Sequence, residues 1–395
     1  MTRRPVLPRR QLLGAAAAAA VSLTAPSILR AQAPQGAAAN KEPLKIGNAM
    51  PLTGSQAGYG NDFIQSMRMA IKDVNDAGGI AGRQVELIAL DTQAEPQLGI
   101  NAVNRFIGVD KLPMFFTAWS PVVKAVAPIA NREKVLEINC GANSPEIANL
   151  GDYVYTAFPL AEVDVIKLAK YTIATLGKKR AAVLYINNDT GIDAAKLYRD
   201  TFSAGGGQVV AFEAYDPKAT EFTGMLLKTR AANPDMVHIH GLINDIPQVI
   251  AQMRQLGMTQ RVSSYSAAYN PKLLEQLGAA AEGLIVTSLA PGVADNPKVA
   301  PFIERWKKEQ GRVPNGLPYT QYQYDMVFLT KALYEHLEKK GQPATGDTLR
   351  DALLAVREFD LPLTGKMIIE GHRVDKTVYL LTVEKGVFVP LATLI

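Results

Sequence analysis

The sequence predicts an α/β protein built from two consecutive parallel-sheet units, and three observations carry that expectation. Short β-branched or apolar runs alternate with amphipathic stretches along nearly the whole chain, the pattern of parallel strands covered on both faces by helices. Two such series follow one another, one to about residue 158 and one from about 160 to 287. The one cysteine, Cys140, excludes an internal disulfide, so stability must come from burial, and the chain is long enough for two cores.

The N-terminus stands apart from the fold. Arg9 and Arg10 precede the weakly apolar run LLGAAAAAAVSLTA, and Ala31-Gln32-Ala33 has the small-x-small pattern that signal peptidase accepts. The run is shorter than the roughly 20 residues a bilayer-spanning helix needs, so stable membrane insertion is not expected. Residues 1–33 read as an export signal cleaved after Ala33, residues 34–43 as a linker, and the expected destination is the periplasm. Arg9, Arg10, Leu12 and Leu13 resemble a twin-arginine signal, although Pro8 and Gly14 stand where a hydroxyl residue and a lysine are commoner, which leaves the general secretory route open. Cys140 is far from the cleavage point, so no lipid anchor is expected there. Removing the segment takes away five of the 42 basic residues and none of the 37 acidic ones, which brings the formal +5 to neutrality. A neutral chain without a lysine or arginine block has no footprint for nucleic acid.

Strands are expected at LKIGNAM (44–50), QVELIALD (84–91), LPMFFTAW (112–119) and VLEINC (135–140), then at RAAVLYIN (180–187), GQVVAFEAY (207–215), DMVHIHG (235–241), RVSSYS (261–266) and GLIVTSL (283–289). Between the first two, Phe63, Met67, Ala70, Ile71 and Val74 form one stripe of a helix over 60–77 that stops at Gly78-Gly79. Helices near 297–310 and 319–340 must join one of the two units. GKMIIE and TVYLLTVEKGVFVPL read as antiparallel strands with a turn at Lys385-Gly386, too small to stand alone.

In open parallel sheets ligands bind beyond the carboxyl ends of the strands. Ser120-Pro121 follows one strand and Ser144-Pro145-Glu146 another, each a helix-start signal. Two helix N-termini on one edge would make an anion site with no cationic side chain, or the residues merely cap helices; both readings stand. Thr53, Gly54 and Gly58 fit no nucleotide-binding fingerprint, whereas Tyr59 could cover an apolar ligand and keep its oxygen wet. Trp119 is suited to stacking on a ligand or to filling the core. His238 and His240 alternate on one strand face, but with only four histidines and no H-x-x-x-H or H-E-x-x-H spacing no metal is expected. No G-x-S-x-G elbow occurs, and no motif places a histidine beside Cys140, so neither catalysis nor a cofactor is expected.

The stretch LKIGNAMPLTGSQAGYGNDFIQSMRMAIKDVNDAGGIAGRQVELIALDTQAEP closely resembles the opening of the leucine/isoleucine/valine-type substrate-binding proteins of ATP-binding-cassette (ABC) importers, the type I periplasmic binding proteins. Thr53-Gly54-Ser55 replaces the family's T/S-G-P; the likeness is strongest before residue 150 and weaker after 240. The resemblance implies two doubly wound parallel-sheet lobes joined by three crossover segments near 158, 288 and 363: lobe 1 from 44–158 and 289–362, lobe 2 from 159–288 and 363–395. It implies a monomeric receptor that closes by hinge bending on a small carboxylate-bearing ligand, of hydrophobic amino-acid type, and delivers it to an importer permease. Carried over by position, Ser120, Gly141 and Asn143 would hold the ligand's carboxylate and part of its ammonium, with Tyr59 and Tyr319 lining the pocket. Trp119, Ala142, Thr190, His240, Leu242, Tyr265 and Ser266 complete the expected site.

Several positions depart from the family. Asn143 stands where threonine is common, Thr190 and Leu242 where tyrosines are, and Trp119 at one place of the usual disulfide. The acid that pairs with a ligand ammonium falls near Tyr265-Ser266, where no acid stands; either Asp245 or another acid substitutes, or the ligand is an aliphatic or aromatic acid without an ammonium. A ligand-sensing subunit of a signalling system would share the same chain.

Overall fold

The run LKIGNAM forms β1 (Leu44–Met50) in the computed structural model, which describes residues 42–293 and 295–394. The export-signal reading of residues 1–33 and most of the linker lie outside the described residues. β1 pairs in parallel with β2 (Val85–Asp91) and β3 (Met114–Thr117), and β4 (Leu136–Asn139) and β5 (Val154–Thr156) complete a five-stranded parallel sheet in the order β2-β1-β3-β4-β5. Three-residue β5 was not expected, because it is too short for a period to show.

Helix α1 (Ala57–Asp76) buries the expected stripe of Phe63, Met67, Ala70, Ile71 and Val74. Each large apolar side chain of the stripe contributes about 1.5–3 kcal/mol. The helix ends where Gly78 and Gly79 take φ of 104° and 83°, values that exclude continuation. α2 (Pro96–Gly108) and α3 (Ser120–Glu133) cover the opposite face, where Val103, Phe106, Val126 and Ala130 pack on Ala49 and Phe115.

The second series begins with α4 (Ala161–Ala174) and runs through β6 (Arg180–Ile186), α5 (Asp189–Ala204), β7 (Gln208–Tyr215), α6 (Thr223–Ala231) and β8 (Met236–His240). It continues through α7 (Asp245–Gln255), β9 (Arg261–Ser264), α8 (Pro271–Leu277) and β10 (Ile285–Ser288), giving parallel strands in the order β10-β9-β8-β6-β7.

The late helices return to the first sheet. α9 (Val299–Gln310) and α10 (Leu317–Lys339) pack against α1: Ser66 Oγ donates to Thr320 O at 2.6 Å, and Arg305 grips both Asp73 oxygens at 2.7 Å. α11 (Gly346–Val356) lies beside them. β14 (Val378–Glu384) then joins the free edge of β10 antiparallel and turns into β15 (Val387–Leu394). Lys385 and Gly386 make that turn with φ of 52° and 77°, the twist a two-residue hairpin needs.

GKMIIE behaves differently from the expectation that grouped it with the terminal strands. It forms β12 (Gly365–Glu370) of a separate antiparallel sheet, between β11 (Glu358–Leu361) and β13 (Arg373–Val374). The reason lies on α10, where the buried Asp325 carboxylate accepts the N–H groups of Leu363 and Thr364 and the Thr364 hydroxyl. That clamp fixes the turn before β12 away from the second sheet. No helix of the described residues is long and apolar enough to cross a membrane.

Candidate functional site

The carboxyl ends of the two parallel sheets converge on a cavity of about 410 Å³, open solvent included, which forms the slot between the two sides. From the first-sheet side it is lined by Tyr59, Trp119, Ser120, Gly141, Ala142, Asn143 and Tyr319, and from the second by Thr190, Leu242 and Tyr265, all expected from the sequence. Gln56, Phe63, Ile243 and Ala267 also line it and were missed. Phe63 follows Tyr59 by four residues on α1, so the helical period placed the two on one face. Its place in the core stripe hid its second role.

Trp119 sets the local geometry. It ends β3 with φ 66° and ψ 115°, a backbone state that a bulky side chain rarely adopts, and such strain concentrates at functional sites. Its carbonyl accepts the N–H groups of Val122 and Val123, so Trp119, not Ser120, caps α3. Ser120 is the first helical residue, and its Oγ accepts the Ser144 N–H at 3.2 Å. Ser144 heads only a five-residue 3-10 turn, and its hydroxyl donates to Asp193 at 2.6 Å. Of the two helix N-termini expected at this edge, α3 alone supplies a helix dipole.

The amide donors also differ from expectation. The Gly141 and Ala142 N–H groups are held by Asn139 Oδ1 at 3.1 and 2.7 Å, so these two residues shape the wall without a free donor. Among the described residues, the Ser120 and Asn143 N–H groups donate to no protein acceptor. With the Ser120 hydroxyl proton they leave hydrogen-bond donors at the slot and no cationic side chain among its lining.

Rings form the rest of the first-sheet side. Phe63 lies 5.6 Å from Trp119 and 5.8 Å from both Tyr59 and Tyr319, and Tyr319 stacks onward against Phe158 at 4.8 Å. Gly316 makes room for this cluster: its φ is 53°, and a Cβ there would stand 2.1 Å from Tyr59 Cε1. The two sides are tied across the slot by Tyr59 OH donating to Ala267 O and by a Ser266 Oγ to Tyr319 OH bond, both 2.9 Å.

His240 and Ser266 stand behind the wall rather than in it. His240 stacks on Tyr265 at 3.9 Å, and its Nε2 lies 3.0 Å from Asn143 Nδ2, a third bond between the two sides. Burial holds the His240 pKa well below its usual value, as it does that of His238, lowered to about 3. A neutral Nε2 accepts the Asn143 amide proton. Among the described residues no group of three metal-ligating side chains occurs.

No carboxylate lines the slot. Asp245 does not substitute for the missing acid: it accepts from Tyr215 OH at 2.8 Å and from the Leu242 and Ile246 N–H groups. Burial nevertheless raises its pKa to about 6 against those bonds. Asp189 and Asp193 lie toward Lys124 at 2.9 and 3.8 Å. Cys140 is buried beside Gln323, and burial pushes its thiol up to about 12, the reverse of an activated nucleophile.

The sequence pattern of the periplasmic binding proteins matches residues 43–387. The chain belongs to that family. This periplasmic binding protein is 24% identical over 318 residues to the leucine-specific-binding protein of Salmonella typhimurium, covering 80% of this chain and 84% of that one. It superposes on a leucine binding protein of Thermotoga maritima with a TM-score of 0.79 at 25% identity, over 89% of this chain and 98% of the other. A solute binding protein of Rhodopseudomonas palustris, solved with 3,4-dihydroxybenzoic acid, shares the fold with a TM-score of 0.78 at 24% identity over 89% and 97% of the two chains. Its relatives are solute-binding proteins of ABC importers, and its fold is that of the type I class.

Proposed function

We propose that this periplasmic binding protein captures a small carboxylate-bearing solute between two lobes and hands it to the permease of an ABC importer, as a periplasmic monomer without catalytic activity. The observation that carries the reading is the pair of unclaimed N–H groups of Ser120 and Asn143 beside the Ser120 hydroxyl at the head of α3. Free donors beside the positive end of a helix suit a carboxylate. The deeply buried thiol of Cys140 and a Ser120 without a histidine partner support a receptor over a hydrolase.

The lobes of this reading are residues 44–158 with 289–362 and residues 159–288 with 363–395. Return of α9 to α11 to the first sheet and of β14 and β15 to the second supports the division. The third crossover contains the small sheet of β11 to β13. Relatives named for leucine make hydrophobic amino acids the first solutes to try. Mass spectrometry of the small molecule released on denaturing the purified protein tests the proposal. A carboxylate is expected, and a saturating one, at a hundred times its Kd, adds about 2.7 kcal/mol of stability. Recovery of a neutral solute, or its conversion during incubation, refutes it.

A further inference from the structure

The lining of the slot says what the far end of the solute must lack. We infer that the solute is a ring-bearing carboxylic acid without an ammonium group, an inference that rests on the carboxylate reading above. An ammonium enclosed here would meet only neutral oxygens, because no Asp or Glu lines the slot. Each nearby carboxylate is already bonded, and Asp164, beside Tyr265 and Tyr319, accepts the Thr287 hydroxyl at 2.6 Å. Asp245 is taken by Tyr215 and two backbone N–H groups, Asp62 by Arg312 and the Asn315 N–H, and Asp189 and Asp193 by Lys124 and Ser144. The hydroxyls of Tyr59 and Tyr265 spend their protons on Ala267 O and Gly241 O, and offer an ammonium uncharged lone pairs alone.

The shape gives the rest of the solute. Rings cluster on the first-sheet side through Tyr59, Phe63, Trp119 and Tyr319, and the second presents Tyr265 with Leu242 and Ile243. Rings on both sides favour a ring-bearing solute; they would also suit a quaternary ammonium, which the trimethylglycine titration distinguishes.

Calorimetric titration of the mature protein with matched probes tests this. 3-Phenylpropanoate and L-phenylalanine differ by one ammonium, and the acid is expected to bind at least about 30-fold more tightly. Leu242→Asp, which puts a carboxylate into the slot, is expected to reverse that order. L-Phenylalanine or L-leucine binding as tightly as the acid overturns the inference and leaves the carboxylate reading standing, and trimethylglycine as the tightest probe overturns it in favour of an aromatic cage. Equal binding of 3-phenylpropanamide and the acid overturns the carboxylate reading itself, and no binding by any probe counts against both.

Discussion

The two sides of the slot are built from different materials. On the first-sheet side the rings and donors sit on long packed elements: Tyr59 and Phe63 on α1, Tyr319 on α10, Ser120 at the head of α3 behind the strained Trp119. On the second-sheet side Leu242 and Ile243 lie between β8 and α7, and Ala267 belongs to a three-residue 3-10 turn. One side is a preformed template and the other a cover that meets it through hydrogen bonds that include Tyr59 to Ala267, Tyr319 to Ser266, Asn143 to His240 and Ser144 to Asp193. Preorganised donors bind without an ordering cost, so solute recognition belongs mainly to the template and residence time to the cover.

Buried titratable groups on both sides tie stability to pH, and here the largest effect is expected. Glu137 on β4 is buried with Thr117 as its hydrogen-bond donor, and burial raises its carboxyl to about 8 from an ordinary 4.5. The unfolded chain loses that proton near the ordinary value while the folded chain keeps it, so stability falls as pH rises from 4.5 to 8 and stays lower above. His238 on β8 of the second sheet has the opposite sign: its lowered pKa makes stability fall as pH drops from 6.5 towards 3. Glu137→Gln removes the first slope and keeps a partner for Thr117. Its stability relative to the parent is expected to rise by on the order of a few kcal/mol between pH 5 and 8.5 in denaturant titrations. Parallel curves would mean that the buried carboxyl is ionised.

Two substitutions separate template from cover. Ser120→Ala deletes one donor of the proposed grip and orphans the Ser144 N–H, so affinity for the carboxylate is expected to fall about 10- to 100-fold, a loss of about 1–3 kcal/mol. An unchanged Kd by calorimetry would move the anion end elsewhere in the slot. Tyr59→Phe keeps the ring and removes one bond across the slot, worth about 1 kcal/mol, so release is expected to quicken several-fold with little change in capture rate. A slower capture in stopped flow would place Tyr59 in the template's chemistry instead.

Much of this arrangement was legible in the sequence because it follows from periodicity. Alternating strands and helices gave both sheets, and the rule that ligands lie beyond strand ends led to Trp119, Ser120 and Asn143. What stayed hidden depends on which partner a polar group selects. Ser120 reads as a cap, yet Trp119 caps through its carbonyl and frees the serine for Ser144. Gly141 reads as a donor until Asn139 is seen to claim its N–H group and that of Ala142. Asp245 was a candidate counter-charge by position alone, and Tyr215, distant in the chain, decides otherwise. β12 was misplaced for the same reason, since Asp325 acts on it from α10.

The smallest expected effect lies at the rim, where the division between template and cover meets solvent. Lys124 on α3 reaches Asp189 at 2.9 Å and Asp193 at 3.8 Å on α5, and also pairs with Glu146 on its own side. The lysine is about one-fifth exposed, but Asp189 and Glu146 are 43% and 59% exposed, so solvent and salt screen most of the attraction. Lys124→Met keeps the stem and removes the charge, leaving three acids on the rim with no cation. Because Asp189 and Asp193 belong to the cover, the lost attraction weakens the closed arrangement by about 0.2–1 kcal/mol and acts on release more than on capture. The parent's release rate is expected to rise with salt while the variant's stays flat, so the two converge by about 1 M. A variant that retains the salt dependence would show that the rim pairs only order α3 and α5 within their own halves, and the cover would then be held by its hydrogen bonds, Ser144 to Asp193 among them, rather than by the lysine.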